Sequence, residues 1–111
     1  MKIDFKTFSK IDIRVGIVTK AENFLEARNP AIKIWVDFGP KIGELKSSAQ
    51  ITHHYDVNSI IGRQVLAVTN FLPRQIGNFM SEFLLLGVPD ENGKVVLIRP
   101  DISVPTGGRI Y

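Results

Sequence analysis

Over much of its length the chain alternates apolar and polar residues with a period of two, the signature of half-buried strands. In residues 11–20, IDIRVGIVTK, Ile11, Ile13, Val15 and Ile17 fall on one row and Asp12, Arg14, Gly16 and Val18 on the other. Gly16 in the middle predicts a kink where a sheet curls. Residues 31–38 alternate again: Ile32, Ile34, Val36 and Phe38 form a core row, and Lys33, Trp35 and Asp37 face outward. Residues 44–51 read as a weaker third strand after the turn residues Gly39-Pro40 and Gly43. Two further runs, 62–70 and 82–88, are apolar on both rows, so both of their faces need cover. Residues 94–98 form one more strand behind the Asn92-Gly93 hairpin signal.

The remaining stretches read as connections. Asp4 is a fair N-cap for a short helix over 4–10, whose Phe5 and Phe8 share a face. Residues 21–30 form a polar loop, and 52–61 a short helical connector. The tail 99–111 is extended and poor in helix formers. Short strands with one helical connector between the third and fourth predict an all-β protein with one or two short helices. Its architecture is a five-stranded oligonucleotide/oligosaccharide-binding (OB) barrel with N- and C-terminal extensions. A β-sandwich is the competing architecture, though it normally carries more cleanly alternating strands. A chain of 111 residues is one domain, 1–111.

The centre of the chain is the connection between residues 64–69 and 83–86. It holds Asn70, Pro73, Arg74, Gln75, Gly77, Asn78, Phe79, Met80, Ser81 and Glu82. A plain turn needs only glycine, proline and short polar residues. This mixture of a cation, amides, a hydroxyl, an aromatic ring and a thioether suits a surface that grips another chain, nucleic acid or polypeptide. Lys33, Lys46 and Arg74 supply cations, Gln50 and Asn70 amides, and Trp35 and Phe79 flat apolar faces. Each also has a plainer reading: Trp35 covered by a neighbouring element, Phe79 and Met80 plugging the barrel end, Arg74 a solvated loop charge.

Composition narrows the chemistry. The net charge of +3 is too mild to demand a polyanionic partner. With no cysteine there is no disulfide and no thiolate site. The only histidines, His53 and His54, are adjacent and diverge, which makes them poor co-ligands for one metal. No Walker pattern accompanies the glycines, and no paired carboxylates stand out for acid–base work. The reading is a non-enzymatic protein without metal or cofactor. The N-terminus lacks a signal peptide's apolar core, and no apolar run approaches the ~20 residues of a membrane helix, so a cytoplasmic location is expected.

The stretches FSKIDIRVGIV, WVDFG, KSSAQITHHY, GRQVLAVTNFLPRQIGNFMSEFLLLGVPDENGKVVLIRP and the ending GGRIY resemble the CsaA family of secretion-related chaperones over residues 8–111. That family lies within a wider group of tRNA-binding OB domains. The resemblance implies a homodimer built through the two extensions. It also implies binding of unfolded precursor proteins on their way to the export machinery, without ATP, with tRNA as the alternative ligand. Carried over residue by residue, it implies an RNA-binding set of Lys33, Ser47, Ser48, Asn70, Arg74 and Ser81. The Gly-Met pair that follows the serine in the wider group is Glu82-Phe83 here. Trp35, Phe79 and Met80 are the candidate peptide-binding residues.

Overall fold

The computed structural model describes residues 1–111. After a one-turn helix α1 (Phe5–Phe8) come β1 (Ile13–Asn23), β2 (Ile32–Asp37), β3 (Glu44–Ala49) and β4 (Gln64–Val68). They are followed by β5 (Arg74–Ile76), β6 (Phe79–Ser81), β7 (Leu84–Leu85), β8 (Gly87–Pro89) and β9 (Val95–Leu97). One antiparallel sheet runs in the order β3-β2-β1-β4-β7 and curls until its edges, β3 and β7, meet. The result is a nearly closed five-stranded barrel of the OB type. β5–β6 and β8–β9 are separate hairpins.

The core row of β2 is placed as the alternation requires: Ile32, Ile34, Val36 and Phe38 are buried in the barrel beside Ile60, Val65, Ala67 and Phe83. β1 differs from its pattern. Val18 lies inside the barrel, and a Cβ on Gly16 would meet Val36 Cγ1 and come within 2.9 Å of the Phe38 ring. The inward row is therefore Gly16 and Val18, and the glycine is there for close packing of an aromatic ring. Val15 is buried on the other side, where the C-terminal tail runs alongside: its N–H donates to Gly108 O and its carbonyl accepts from Gly107 N. A bulge at Thr19 then shifts the register, pairing Val18 with Val36 but Lys20 with Trp35. The extra residue turns Lys20 outward, where strict alternation would have sent it in with Val18.

Residues 52–61 are not helical. They make two isolated turns, closed by Tyr55 N to Ile51 O and Ile60 N to Asp56 O. The Asp56 carboxylate accepts from Asn58 N and Ser59 N, which satisfies that turn locally and leaves no ladder to propagate. The central connection folds into the β5–β6 hairpin around Gly77, at φ 59°. Asp4 does cap α1, accepting from Thr7 N at 2.8 Å.

The extensions are tied together by charge. Asp12 sits between Arg14 (2.8 Å) and Arg109 (3.3 Å), and Arg109 also donates to Ser9 O. This leaves a shallow groove of about 300 Å³ lined by Phe5, Phe8, Ile11, Ile110 and Tyr111, with Phe5 73% exposed. No helix is long and apolar enough to cross a membrane.

The 51–55 turn is fastened to the β8–β9 hairpin. Tyr55 Oη accepts from Leu97 N, and His54 Nε2 lies 2.7 Å from Asp90 Oδ2. The hydrogen bond from His54, then those from Lys94 N and Asn92 N, lower the Asp90 pKa to about 2. A carboxylate whose folded pKa lies below its unfolded one contributes stability that is complete above the unfolded value and disappears as pH falls through the folded value. Wild type should thus be more stable than Asp90→Asn at pH 5, and the difference should close between pH 4 and pH 2. Urea midpoints across that range measure it; a constant difference would contradict the assignment.

Candidate functional site

Barrel closure sets the site. β3 and β7 approach without forming a backbone ladder, and side chains bridge the seam between them. Ser47 Oγ donates to Phe83 O at 2.7 Å, Ser48 N to Ser81 Oγ at 3.2 Å and Lys46 N to Glu82 Oε1 at 3.0 Å. A single backbone bond crosses here, from Glu82 N in the link between β6 and β7 to Lys46 O. Past these bridges the seam opens into a groove of about 410 Å³ between the β1–β2 loop, the end of β3, the β5–β6 hairpin and β9. A second cavity, about 520 Å³, continues it past Ser48, Arg74, Ile76, Phe83 and Leu84 to Phe71 and Leu72.

Of the six RNA-binding candidates, Ser47, Ser48, Arg74 and Ser81 come together along this groove. Ser47 (3% exposed) and Ser81 (9%) are committed to the seam. Arg74 is exposed and makes neither an ion pair nor a side-chain hydrogen bond, which leaves its guanidinium free for a ligand. Lys33 stands on the outer face of β2, paired with Glu26 at 3.5 Å and stacked over the Phe24 and Phe79 rings at 4.8 and 5.1 Å. Asn70 is turned away from the groove. Its amide donates to Lys10 O and accepts from Asp12 N, fastening the N-terminal extension to the end of β4.

The three peptide-binding candidates do not form one exposed patch. Phe79 is buried, edge-on to Phe24 (5.6 Å) and Trp35 (6.0 Å), in a small second core under the β5–β6 hairpin. Met80, its neighbour on β6, points to the opposite face and is exposed, because successive strand side chains alternate. Trp35 is half-buried, with Lys20 Nζ 4.5 Å above its ring. The exposed apolar residues at the groove are instead Phe71 (54%), Leu72 (92%) and Leu84 (48%). Their signal was available in the sequence: two large apolar residues inside a connection, where water faces them unless something binds.

The outer sheet face carries a cationic row, with Lys20 and Lys46 flanking Trp35 in register. Lys46 Nζ also lies 5.2 Å from the Phe79 ring centroid. In an OB barrel, this face and the two loops beside it are where oligonucleotides bind.

The model of the family described as "putative tRNA binding domain" matches residues 13–109. The chain belongs to this family. Within it, the chain falls with the CsaA proteins. Chaperone CsaA from Bacillus anthracis superposes with a TM-score of 0.93 at 45% identity over the whole of both chains. The CsaA chaperone protein from Picrophilus torridus gives 0.92 at 45% identity, over 99% of this chain and all of that one. The methionine–tRNA ligase of Flavobacterium johnsoniae is 31% identical over 108 residues, 97% of this chain. The chain spans about 15% of the length of that ligase.

Proposed function

We propose that this protein is a non-catalytic, cytoplasmic chaperone that holds unfolded or precursor polypeptides and passes them to the export machinery without ATP. The observation that carries the reading is the continuous groove at the barrel seam. It is walled by apolar side chains, has Phe71, Leu72 and Leu84 open to water, and has two cations without an ion-pair partner, Arg28 and Arg74. Unfolded chains expose apolar segments, and burying them is worth roughly 25 cal/mol per Å². The likeness to CsaA chaperones over the full chain supports the same reading. The test is titration with a labelled unfolded precursor, together with suppression of aggregation of a denatured substrate in the absence of nucleotide. Binding and suppression are expected; a protein that does neither is not a chaperone.

A second reading, tRNA binding, is favoured by the Lys20–Trp35–Lys46 row and by the family match. Phosphate contacts give an affinity that falls steeply with salt. Labelled tRNA titrated in the same experiment separates the two: retention of tRNA at low salt without any precursor binding would move the function to RNA.

We also propose a homodimer formed through the extensions. Phe5, Phe8, Ile11, Ile110 and Tyr111 line one face that the monomer leaves open, and a second copy of the same face would cover it. A permanent pairing of this kind buries on the order of 2,000 Å². Light scattering at micromolar concentration should give twice the 12.4 kDa chain mass, and a mass of 12.4 kDa would remove the dimer.

A further inference from the structure

The edge of β3 offers more than an apolar wall. Residues 46 and 48 turn their backbone groups away from β2 and toward the seam, where Glu82 and Ser81 satisfy Lys46 and the Ser48 N–H. No hydrogen bond crosses the seam beyond Ser48. Gln50, the next residue in phase, makes none through its backbone or side chain. The groove begins at this point, with Ser48, Ala49, Gln50 and Ile51 on one bank and Phe83, Leu84 and Leu85 on the other. An unpaired strand edge facing an apolar slot is what an extended polypeptide needs to add itself to a sheet: backbone bonds hold it, and alternate side chains enter the slot.

The charges at the groove narrow the occupant further. Two guanidinium groups, Arg28 from the β1–β2 loop and Arg74 from β5, line it, and neither has an ion-pair partner. No aspartate or glutamate lines this part of the groove, and Glu82, in the cavity that continues it, accepts from Lys46 N. Arginine without a carboxylate of its own is a ready bidentate partner for a carboxylate from elsewhere.

We propose that the β3–β7 seam binds an extended apolar polypeptide segment as an added strand beside residues 48–51, with a carboxylate of that segment held by Arg28 and Arg74. This rests on the polypeptide-client reading above and specifies how and with what preference the client is held. Backbone pairing makes the site tolerant of sequence, as a holder of many clients needs, and the two arginines set its bias. An RNA strand would satisfy the cations but has no use for the β3 edge.

The test uses the full chain and three synthetic peptides with the same Val/Thr segment, capped at both termini and flanked by aspartates, serines or lysines. The aspartate-flanked peptide should bind about tenfold more tightly than the serine-flanked one, as expected for a charge-assisted pair, and the lysine-flanked peptide most weakly. The double variant Arg28→Glu/Arg74→Glu should reverse that order. Binding should slow amide exchange at Gln50, the residue whose N–H has no partner in the free protein. Gln50→Pro, which removes an N–H that no other group uses, should weaken all three peptides, with an unchanged melting curve showing that the fold is kept. Equal affinities, a preference for lysine, or undiminished binding by Gln50→Pro would overturn the seam assignment. If unfolded precursor still binds in that case, the chaperone reading stands and only its site is lost. If no polypeptide binds at all, both fall. If an oligonucleotide of equal length binds at the groove and the peptides do not, the groove belongs to RNA.

Discussion

Phe38→Ala should destabilise the barrel by about 3–5 kcal/mol, the usual cost of removing a buried phenylalanine side chain. Phe38 is fully buried. Its ring meets Phe83 edge-on at 5.3 Å and lies against the space that Gly16 leaves open. Its backbone N–H closes the turn to Gly43 O, and its carbonyl lies close against Gly107 of the C-terminal tail. The side chain thus packs the end of β2 against Gly16 of β1 and against Phe83 at the seam, so its removal leaves a cavity in the barrel. Total stabilities of small domains are roughly 5–15 kcal/mol, so the variant would lose a large fraction of its own. The melting temperature should fall by on the order of 15 °C. Thermal unfolding followed by circular dichroism measures this; a fall of only a degree or two would mean that the site repacks freely.

Phe71→Ser/Leu72→Ser should keep the fold and lose the client. Both side chains are largely exposed, so the folded chain gives up little when they go. If a client buries each fully, each is worth about 1.5–3 kcal/mol, roughly tenfold to a hundredfold in affinity. Phe79→Ala provides the contrast. It should lower stability, because Phe79 holds the β5–β6 hairpin onto Phe24 and Trp35, and should affect binding only through that hairpin. Fluorescence titration of a labelled unfolded precursor against the variants, with melting curves alongside, separates the two effects. Unchanged affinity in Phe71→Ser/Leu72→Ser would take these residues out of the site.

The central connection marks the boundary of what could be read from residues alone. Its chemical richness pointed to a gripping surface, and the grooves do lie along it. Which of its side chains face the grooves depends on the β5–β6 pairing, which sends Phe79 inward and Met80 outward. Asn70 and Ser47 show the same limit. Both are polar residues that the resemblance put forward for RNA binding, yet their hydrogen bonds run to Lys10, Asp12 and Phe83. Those partners are distant in sequence, so no local pattern announces them.

The sequence by itself determined the all-β character, the inward row of β2, the Asp4 cap, the Asn92-Gly93 hairpin and the family. All of these rest on periodicity, on turn chemistry within a few residues, or on long matching motifs. Only the tertiary structure decided that β1 carries a bulge at Thr19, that Gly16 makes room for Phe38, and that residues 52–61 close as turns. It alone also decided that serine side chains bridge the β3–β7 seam. The physical reason is the same in each case: the outcome was set by a partner brought close by barrel closure, and a one-residue slip in pairing exchanges the faces of a strand without leaving a trace in its alternation.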